Sequence, residues 1–532
     1  LRKLPVIFLI LLWAAIAYSV NCGDTDLNGV QDTPCACGDT LRGQSGFTFN
    51  FSADNLTGET GTTLSCSNSG IALTIGSAAS GIIIEGNDYI LAGDNSNVTT
   101  GIFVNAANAT IQNLKVTAML NSGINIAGGI SGTTIDDCEI YANGESGINI
   151  FTSNDIDVSG FSFTDNIIHN NGEWGIQLAW GTDDSADDGY IADVEILRNT
   201  IYSNGTTTQG GIRFQRDDGN TSNAPMSPGP LTISYNTIYS NSGPGSRIGD
   251  IDASTNPFQY DHNTVYENSE NSTVGGAWFS NIVADSDWLF KVFKNTVYSN
   301  HTNSTDGRGI YFDEGCSYFE GYNNLSYDHN DNVVHADSFS AGIAVTEGLH
   351  GRLWGNISHD NFVGILVDQA NTVDILIANN TIVNNTHSQI RTGHSASSVD
   401  SSQLTIRNNL MEDSLSTADD YGIYDYDNTH DPTEDHNSYY GFTDDDYQMT
   451  KDASSITDDP LLMANYGIQA NSPVRNAGTD ICSGLGDVTS YNGVLVCNDG
   501  MLVAPGGALD IGAWEFIFLK SRGVTGRGMV SQ

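Results

Sequence analysis

At 532 residues the chain would ordinarily divide into several domains, but a repeating architecture grows by addition and escapes that expectation. Acidic residues outnumber basic ones 64 to 19, for a formal net charge of −45. That balance excludes a nucleic-acid partner, which needs a basic footprint to displace counterions, and disfavours a polyanion unless a metal bridges the two.

Residues 1–19 read as an export signal. Arg2 and Lys3 supply the positive region, Val6 to Ala17 an apolar run of twelve, and Ala15-Ile16-Ala17 a small-x-small cleavage site. The run is shorter than the roughly 20 residues of a membrane helix, and no later apolar segment reaches that length. The mature chain is therefore expected to lack a membrane span and to be secreted or held at the cell surface.

The next segment, 20–40, is acidic and rich in cysteine. Asp24-x-Asp26-x-Asn28-Gly29-x-x-Asp32 places oxygen ligands at positions 1, 3, 5 and 9 with glycine at 6, as calcium loops require. The bidentate glutamate expected at position 12 is absent, and Cys35 stands there. Calcium is the one cofactor that this spacing suggests, against the alternative of an acidic linker. Cys22, Cys35, Cys37 and Cys66 cluster here, and Cys482 and Cys497 lie near the other end. Export permits disulfides, and both ends of a solenoid need closing. Zinc is the alternative for the first group, but Cys35-x-Cys37 fits no common zinc spacing. Cys138 and Cys316 sit alone and read as buried thiols. Thirteen Asn-x-Ser/Thr sequons, among them Asn97, Asn204, Asn356 and Asn384, mark candidate glycan acceptors.

From 41 to 440 one phrase recurs: Asn199-Thr-Ile-Tyr-Ser-Asn204, Asn236-Thr-Ile-Tyr-Ser-Asn241, Asn263-Thr-Val-Tyr-Glu-Asn268 and Asn295-Thr-Val-Tyr-Ser-Asn300, with weaker copies from Asn166, Asn324, Asn356, Asn380 and Asn409. Successive starts are 24 to 37 residues apart, a solenoid period. A short alternating stretch precedes the asparagine, as in Leu231-Thr-Ile233, and the Thr-Ile-Tyr stretch follows it. A third stretch opens on glycine, as in Gly147-Ile-Asn-Ile150, Gly175-Ile-Gln-Leu178 and Gly211-Ile-Arg-Phe214. All three alternate with period two, so each is a strand with one buried face. Three strands per period trace a flattened triangular coil, and stacked coils place each strand about 4.8 Å from its copy in parallel register. Asparagine is expected at the corner because it tolerates left-handed backbone angles, and its amides can hydrogen-bond along the stack. No window carries a helical apolar stripe. The fold is expected to be all-β, a right-handed parallel β-helix with disulfide-stabilised end caps, followed by a capping region at 441–516 and a tail at 517–532.

These repeats resemble the parallel β-helix repeat family, related to the pectin-lyase-like superfamily with its carbohydrate-binding and sugar-hydrolysing members, over roughly Thr40 to Tyr440. The opening Cys37-Gly-Asp-Thr40 and Ile82-Ile-Ile-Glu-Gly-Asn87, and the closing Asp459-Pro-Leu-Leu, Asn471-Ser-Pro-Val-Arg-Asn-Ala-Gly478 and Asp510-Ile-Gly-Ala-Trp-Glu515, are similar to the ends of exported members. The resemblance implies an extracellular polysaccharide or cell-surface glycan as partner. The family's lyases use a lysine or arginine base beside bound calcium, and here Arg213 with Arg216, Asp217 and Asp218 is the only matching group. A polygalacturonase signature is absent, as is the Asp-Pro-His of alginate epimerases, since His430-Asp431-Pro432 reverses it.

On the glycine-opened strands the second and fourth positions should point inward and the third and fifth outward, forming one exposed face. Its third positions are Asn125, Asn149, Gln177, Arg213, Trp278, Tyr311, Ala344 and Leu366, and its fifth are Ala179, Gln215, Ser280, Asp313, Thr346 and Asp368. Amides, acids and aromatic rings suit a sugar chain, so Asn149, Gln177, Trp278 and Tyr311 are the candidate binding residues. Arg213, Asp313 and Asp368 are the candidate catalytic groups, for a lyase or a glycoside hydrolase. The two aspartates stand two coils apart, roughly 10 Å. The acidic stretches Thr182 to Tyr190 and Arg216 to Pro230 are candidate groove walls. The plain alternative is an ordinary solvent face on a non-enzymatic adhesion or scaffold protein.

Overall fold

A computed structural model describes residues 21–478 except 68–69, 153–155, 181–190, 207, 217–228, 269–274, 288, 301–306, 330–339, 370, 394–402, 415–419, 427–430, 448–450 and 476, together with 488–491, 494–497, 502–503 and 511. The export signal, both candidate groove walls, His430 and Cys482 lie mostly or wholly outside these residues.

The alternating stretches form strands, and the successive coils build three long sheets. Among the described residues the first sheet has 16 strands, the second 14 and the third 15, each running in coil order. Pairing between successive coils is parallel; antiparallel contacts among the described residues are local, at Glu59–Ser65, in the Gly23–Thr33 and Leu462–Ile468 bridges and in a separate three-stranded sheet of Val488–Tyr491, Val494–Cys497 and Leu502–Val503. The glycine-opened stretches build the first sheet, those before the asparagine the second, and the Thr-Ile-Tyr stretches the third. The interior is a continuous column of apolar side chains, Ile148 and Ile150 stacking on Ile176 and Leu178 and these on Ile212 and Phe214, all fully buried. The first sheet begins earlier than expected, because Asn21–Gly23 and Asp39–Arg42 are already its strands. It also extends past 440, to Asp444–Tyr447. No helix of the described residues is long and apolar enough to cross a membrane.

Asparagine does its work differently from the expectation. The left-handed residue at the corner is the one before it: Asp165, Arg198, Tyr235, His262, Lys294, Asn323, Asn379, Asn408 and His436 have φ of 52–60°. The strain falls on that position, which is exposed or half-exposed except at the buried Asn379 and Asn408, and the following asparagine turns inward. Each amide Nδ2 then donates to Oδ1 of the next coil's asparagine at 2.9–3.1 Å, from Asn166 through Asn199, Asn236, Asn263, Asn295, Asn324, Asn356, Asn380 and Asn409 to Asn437. The same Oδ1 accepts a backbone N–H, and the same Nδ2 reaches a carbonyl of the preceding coil, as Asn263 does with Ile233. A second ladder closes the other end of the third sheet, Asn143 to Asn171, Asn204, Asn241, Asn268 and Asn300. His329 replaces one rung, Asn361 and Asn385 resume, and Gln389 ends it. Buried amides are thus satisfied coil by coil, which is what permits polar corners inside a packed solenoid.

Outside the third sheet the tyrosines of the repeat stack. Tyr141, His169, Tyr202, Tyr239, Tyr266, Tyr298, Tyr327 and His359 form one file with ring centroids 4.7–5.1 Å apart. Tyr466, from the segment that follows the last coil, adds a ring 4.6 Å beyond His359. That segment closes the C-terminal end, with Ile468, Val474 and Ile511 packed on Leu410. At the other end Cys22 bonds to Cys35 and Cys37 to Cys66, as the expectation of a cross-linked N-terminal cap required. Cys138 and Cys316 are buried thiols, and burial pushes the Cys138 thiol up to about 12.

Candidate functional site

The outward column of the first sheet follows from its register: Asn125, Asn149, Gln177, Arg213, Arg247, Trp278, Tyr311, Ala344, Leu366, Arg391 and Tyr424, one residue per coil. The inward and outward alternation is as expected. The open face is not. From Tyr311 to Arg391 the column is buried, with Tyr311 at 4% exposure and Ala344 and Leu366 at zero. These residues join Ala341, Phe362 and Val363 in an apolar cluster separate from the solenoid core, and Trp278 packs against its edge. The fifth positions Ala179, Gln215, Ser280, Thr346 and Asp368 are buried as well. Apolar side chains on the outside of a sheet gain by packing together, and period-two alternation reports direction, not exposure.

The half-buried upper part of the column is polar. Asn149 Nδ2 donates to Asn125 Oδ1 at 3.4 Å, and Ser146 Oγ donates to Gln177 Oε1 at 2.8 Å. Arg213 Nη2 donates to the Arg216 carbonyl at 3.4 Å. One coil on, the Arg247 guanidinium lies 4.4 Å from the centre of the Trp278 ring. Burial, followed by the like charge of Arg213, lowers the pKa of Arg247.

Asp313 organises the next coil. Its Oδ2 accepts from Trp278 Nε1 at 2.9 Å, and its Oδ1 accepts from the Tyr311 phenol and from Thr346 Oγ1 at 2.9 Å. Tyr311 and Thr346 also share a 2.7 Å contact between hydroxyls. The Arg308 guanidinium covers the Tyr311 ring at 4.0 Å, and Trp278 and Tyr311 stack with centroids 6.3 Å apart. Burial chiefly drives the Tyr311 phenol well above its ordinary range. Glu347 is raised too, by burial and then by the neighbouring carboxylates of Glu314 and Asp313.

Of the sequence candidates, Trp278, Tyr311 and Asp313 are brought together. Arg213 stands two coils from Trp278 in the same column. Asn149 and Gln177 lie further up the column. Asp368 does not pair with Asp313: Thr346 occupies the coil between them, and Asp368 is 1% exposed, with Oδ1 accepting from the Gln369 N–H at 2.8 Å. Arg247 and Arg308 were not legible from the glycine-opened pattern, because Gly245-Ser246-Arg247 lacks the isoleucine and Arg308 precedes the glycine. Further down, Arg391 lies in the column with Tyr424, and its guanidinium is 5.8 Å from the Tyr424 ring. Beside it His387 is held neutral down to about 4, by burial and then by Arg391.

The candidate calcium loop brings Asp24, Asp26 and Asp32 together, with carboxylate oxygens within 4.8 Å of one another. Asp24 is buried and the other two are exposed. Burial would raise the Asp24 carboxyl, but N–H donors from Gly29, Asn28 and Gln44 outweigh it and hold it below its ordinary value. Asn28 is spent inside the loop: its Oδ1 accepts from the Val30 N–H at 2.8 Å and its Nδ2 donates to Asp26.

Residues 36–186 and 100–287 match the family described as right handed beta helix region. No curated protein matches the chain. Among solved structures, a pectate lyase is 14% identical, covering 94% of this chain and 96% of its own, with a TM-score of 0.25. A periplasmic alginate epimerase is 12% identical over 76% and 84%, at 0.34. The A-module of a mannuronan C-5 epimerase from Azotobacter vinelandii is 14% identical over 83% and 89%, at 0.26.

Proposed function

We propose that this right-handed β-helix binds an extracellular polysaccharide bearing acidic groups, along the outward column of the first sheet from Gln177 to Trp278. The observation that carries the reading is where the scarce positive charge goes. The chain has 19 basic residues and a net charge of −45, yet Arg213, Arg247 and Arg308 gather beside Trp278 and Tyr311 on one face. A guanidinium meets a carboxylate or sulfate with two parallel hydrogen bonds, and an indole ring takes the apolar face of a sugar. This local cluster answers the objection that so acidic a chain should repel a polyanion. The two disulfides at the first coils suit an oxidising, extracellular setting.

A panel of acidic and neutral polysaccharides, read for affinity, for new reducing ends and for unsaturated products, tests it. Acidic glycans should bind and neutral ones should not. Equal binding of both, or of neither, overturns the reading. Two long amide ladders and a nine-ring file stiffen the solenoid, and these favour a rod-like adhesion or scaffold role as the second reading. Calcium at Asp24, Asp26 and Asp32 belongs to the proposal as a stiffener of the first coils, since converging carboxylates are the ligands that a hard cation takes.

A further inference from the structure

Five tyrosines of the repeat stand in unbroken succession outside the third sheet. Tyr202, Tyr239, Tyr266, Tyr298 and Tyr327 occupy one register position on consecutive strands of that sheet. Their ring centroids are 4.8–4.9 Å apart and their planes lie within 2–10° of parallel. His169 precedes the run at 4.7 Å and His359 follows it at 4.9 Å. Each ring therefore has both faces covered by the rings before and after it, and only edges and hydroxyls meet solvent. A sugar stacks on an open ring face and finds none here. All five rings are half-buried, and among the described residues no group takes their hydroxyls, so their protons exchange with water.

Acids line the same edge. Glu267 follows Tyr266 and Asp328 follows Tyr327, and each accepts from a serine of the preceding coil, Ser240 Oγ at 3.3 Å and Ser299 Oγ at 2.7 Å. Glu139 stands 3.3 Å from His169 Nε2. Phenol is easier to oxidise than imidazole, so the two histidines bound the run. A negative field lowers the energy of a positive hole, and these acids and the charge of −45 supply one. We propose that the five phenols form a redox relay, along which a one-electron hole delivered by a solution radical moves between Tyr202 and Tyr327 until a reductant meets it.

The chemistry balances at each step. An organic peroxyl radical takes a hydrogen atom from one phenol, giving a hydroperoxide and a tyrosyl radical. That radical takes an electron from the next phenol in the stack and a proton from water, while the donor phenol gives its own proton to water. One ring is restored and its neighbour is oxidised, with no net driving force needed between like groups. A hydrogen-atom donor of the ascorbate class ends the sequence at whichever ring it meets. Each step is one coil, and the run spans about 20 Å at the coil spacing. Burial first, then neighbouring rings or acids, raise the phenols of Tyr202, Tyr266, Tyr298 and Tyr327, so each carries its proton at neutral pH until it is oxidised. The file lies on a different sheet from Trp278, so the relay stands apart from glycan binding.

The test anchors the oxidant at one end. Ser203 is exposed beside Tyr202, so Ser203→Cys is labelled with a ruthenium tris-bipyridyl photo-oxidant. Unsubstituted protein taken through the same labelling gives the background. After flash oxidation with a sacrificial electron acceptor and a nitroso spin trap, peptide mapping locates the adducts. They should appear at Tyr327, at the far end, as well as at Tyr202. In the same labelled chain carrying Tyr239→Phe, Tyr266→Phe and Tyr298→Phe, the Tyr327 adduct should be lost and the Tyr202 adduct retained. Phenyl rings keep the stack but hold no oxidisable hydroxyl, and an unchanged thermal midpoint checks that the coils survive. Tyr266→Phe alone, the milder variant, should shift adducts from Tyr298 and Tyr327 to Tyr202 and Tyr239. Adducts confined to Tyr202 in the labelled parent, or an undiminished Tyr327 adduct in the triple variant, overturn the relay.

Discussion

Trp278 Nε1 donates to Oδ2 of Asp313, one coil further along the first sheet, at 2.9 Å. The bond fixes the indole across two coils, while the other oxygen of the same carboxylate takes the Tyr311 phenol and Thr346. Asp313 is thus the common anchor of the half-buried Trp278 indole and the buried Tyr311 phenol. Asp313→Ala should leave the indole N–H unpaired, at about 1–3 kcal/mol in urea unfolding. Glycan affinity should fall by roughly tenfold, about 1.4 kcal/mol. Unchanged affinity would show that the rings need no such anchor.

Arg247 sits against Trp278 and within reach of the field of Arg213. Arg247→Gln should weaken acidic glycans by roughly tenfold and flatten the salt dependence of binding, because a charge that meets an anion is screened by added salt. Titration calorimetry at several ionic strengths reads both. An unaltered salt slope would place the acidic groups elsewhere.

Asn263 makes and receives ladder bonds on both sides, with Nδ2 donating to Asn295 and Ile233 and Oδ1 accepting from Asn236. Asn263→Ala strands buried donors on the neighbouring coil and should cost about 3 kcal/mol. Asn263→Asp keeps the acceptors but loses the donors and buries a charge, so it should be no milder. Denaturant midpoints of the two variants against wild type decide this.

Sequons differ in accessibility. Asn204, Asn324 and Asn356 are buried rungs whose Nδ2 atoms are already donating, whereas Asn97 is exposed. Expression in a glycosylating host followed by peptide mapping should find glycan at Asn97 and none at the three rungs. Full occupancy of a rung would mean that modification precedes folding and that the coil cannot close.

Chelation tests the loop at Asp24, Asp26 and Asp32. If calcium sits there, its removal should lower the melting temperature, and Asp26→Asn should abolish the difference between chelated and calcium-loaded protein. A chelator without effect would leave the loop as the hydrogen-bonded turn already visible in Thr25, Asp26 and Asp32.

The repeat by itself determined the solenoid. Alternation of period two requires strands with one inward face, and a 24 to 37 residue period stacks them in register, because only that arrangement buries Ile148, Ile176 and Ile212 in one file. The cross-linked first coils were equally legible, since clustered cysteines near a solenoid end have few other partners. The outward column was legible in direction only. Whether Tyr311, Ala344 and Leu366 face solvent depends on what packs over them, and no local pattern carries that information. The left-handed residue before each rung was hidden too, because an asparagine can hold either role and the hydrogen bonds to the adjacent coil choose between them. Arg247 and Arg308 became visible beside the rings only in three dimensions. Residues 24 to 37 apart in sequence meet one coil apart in space, and the charge that gathers there is a property of the stack.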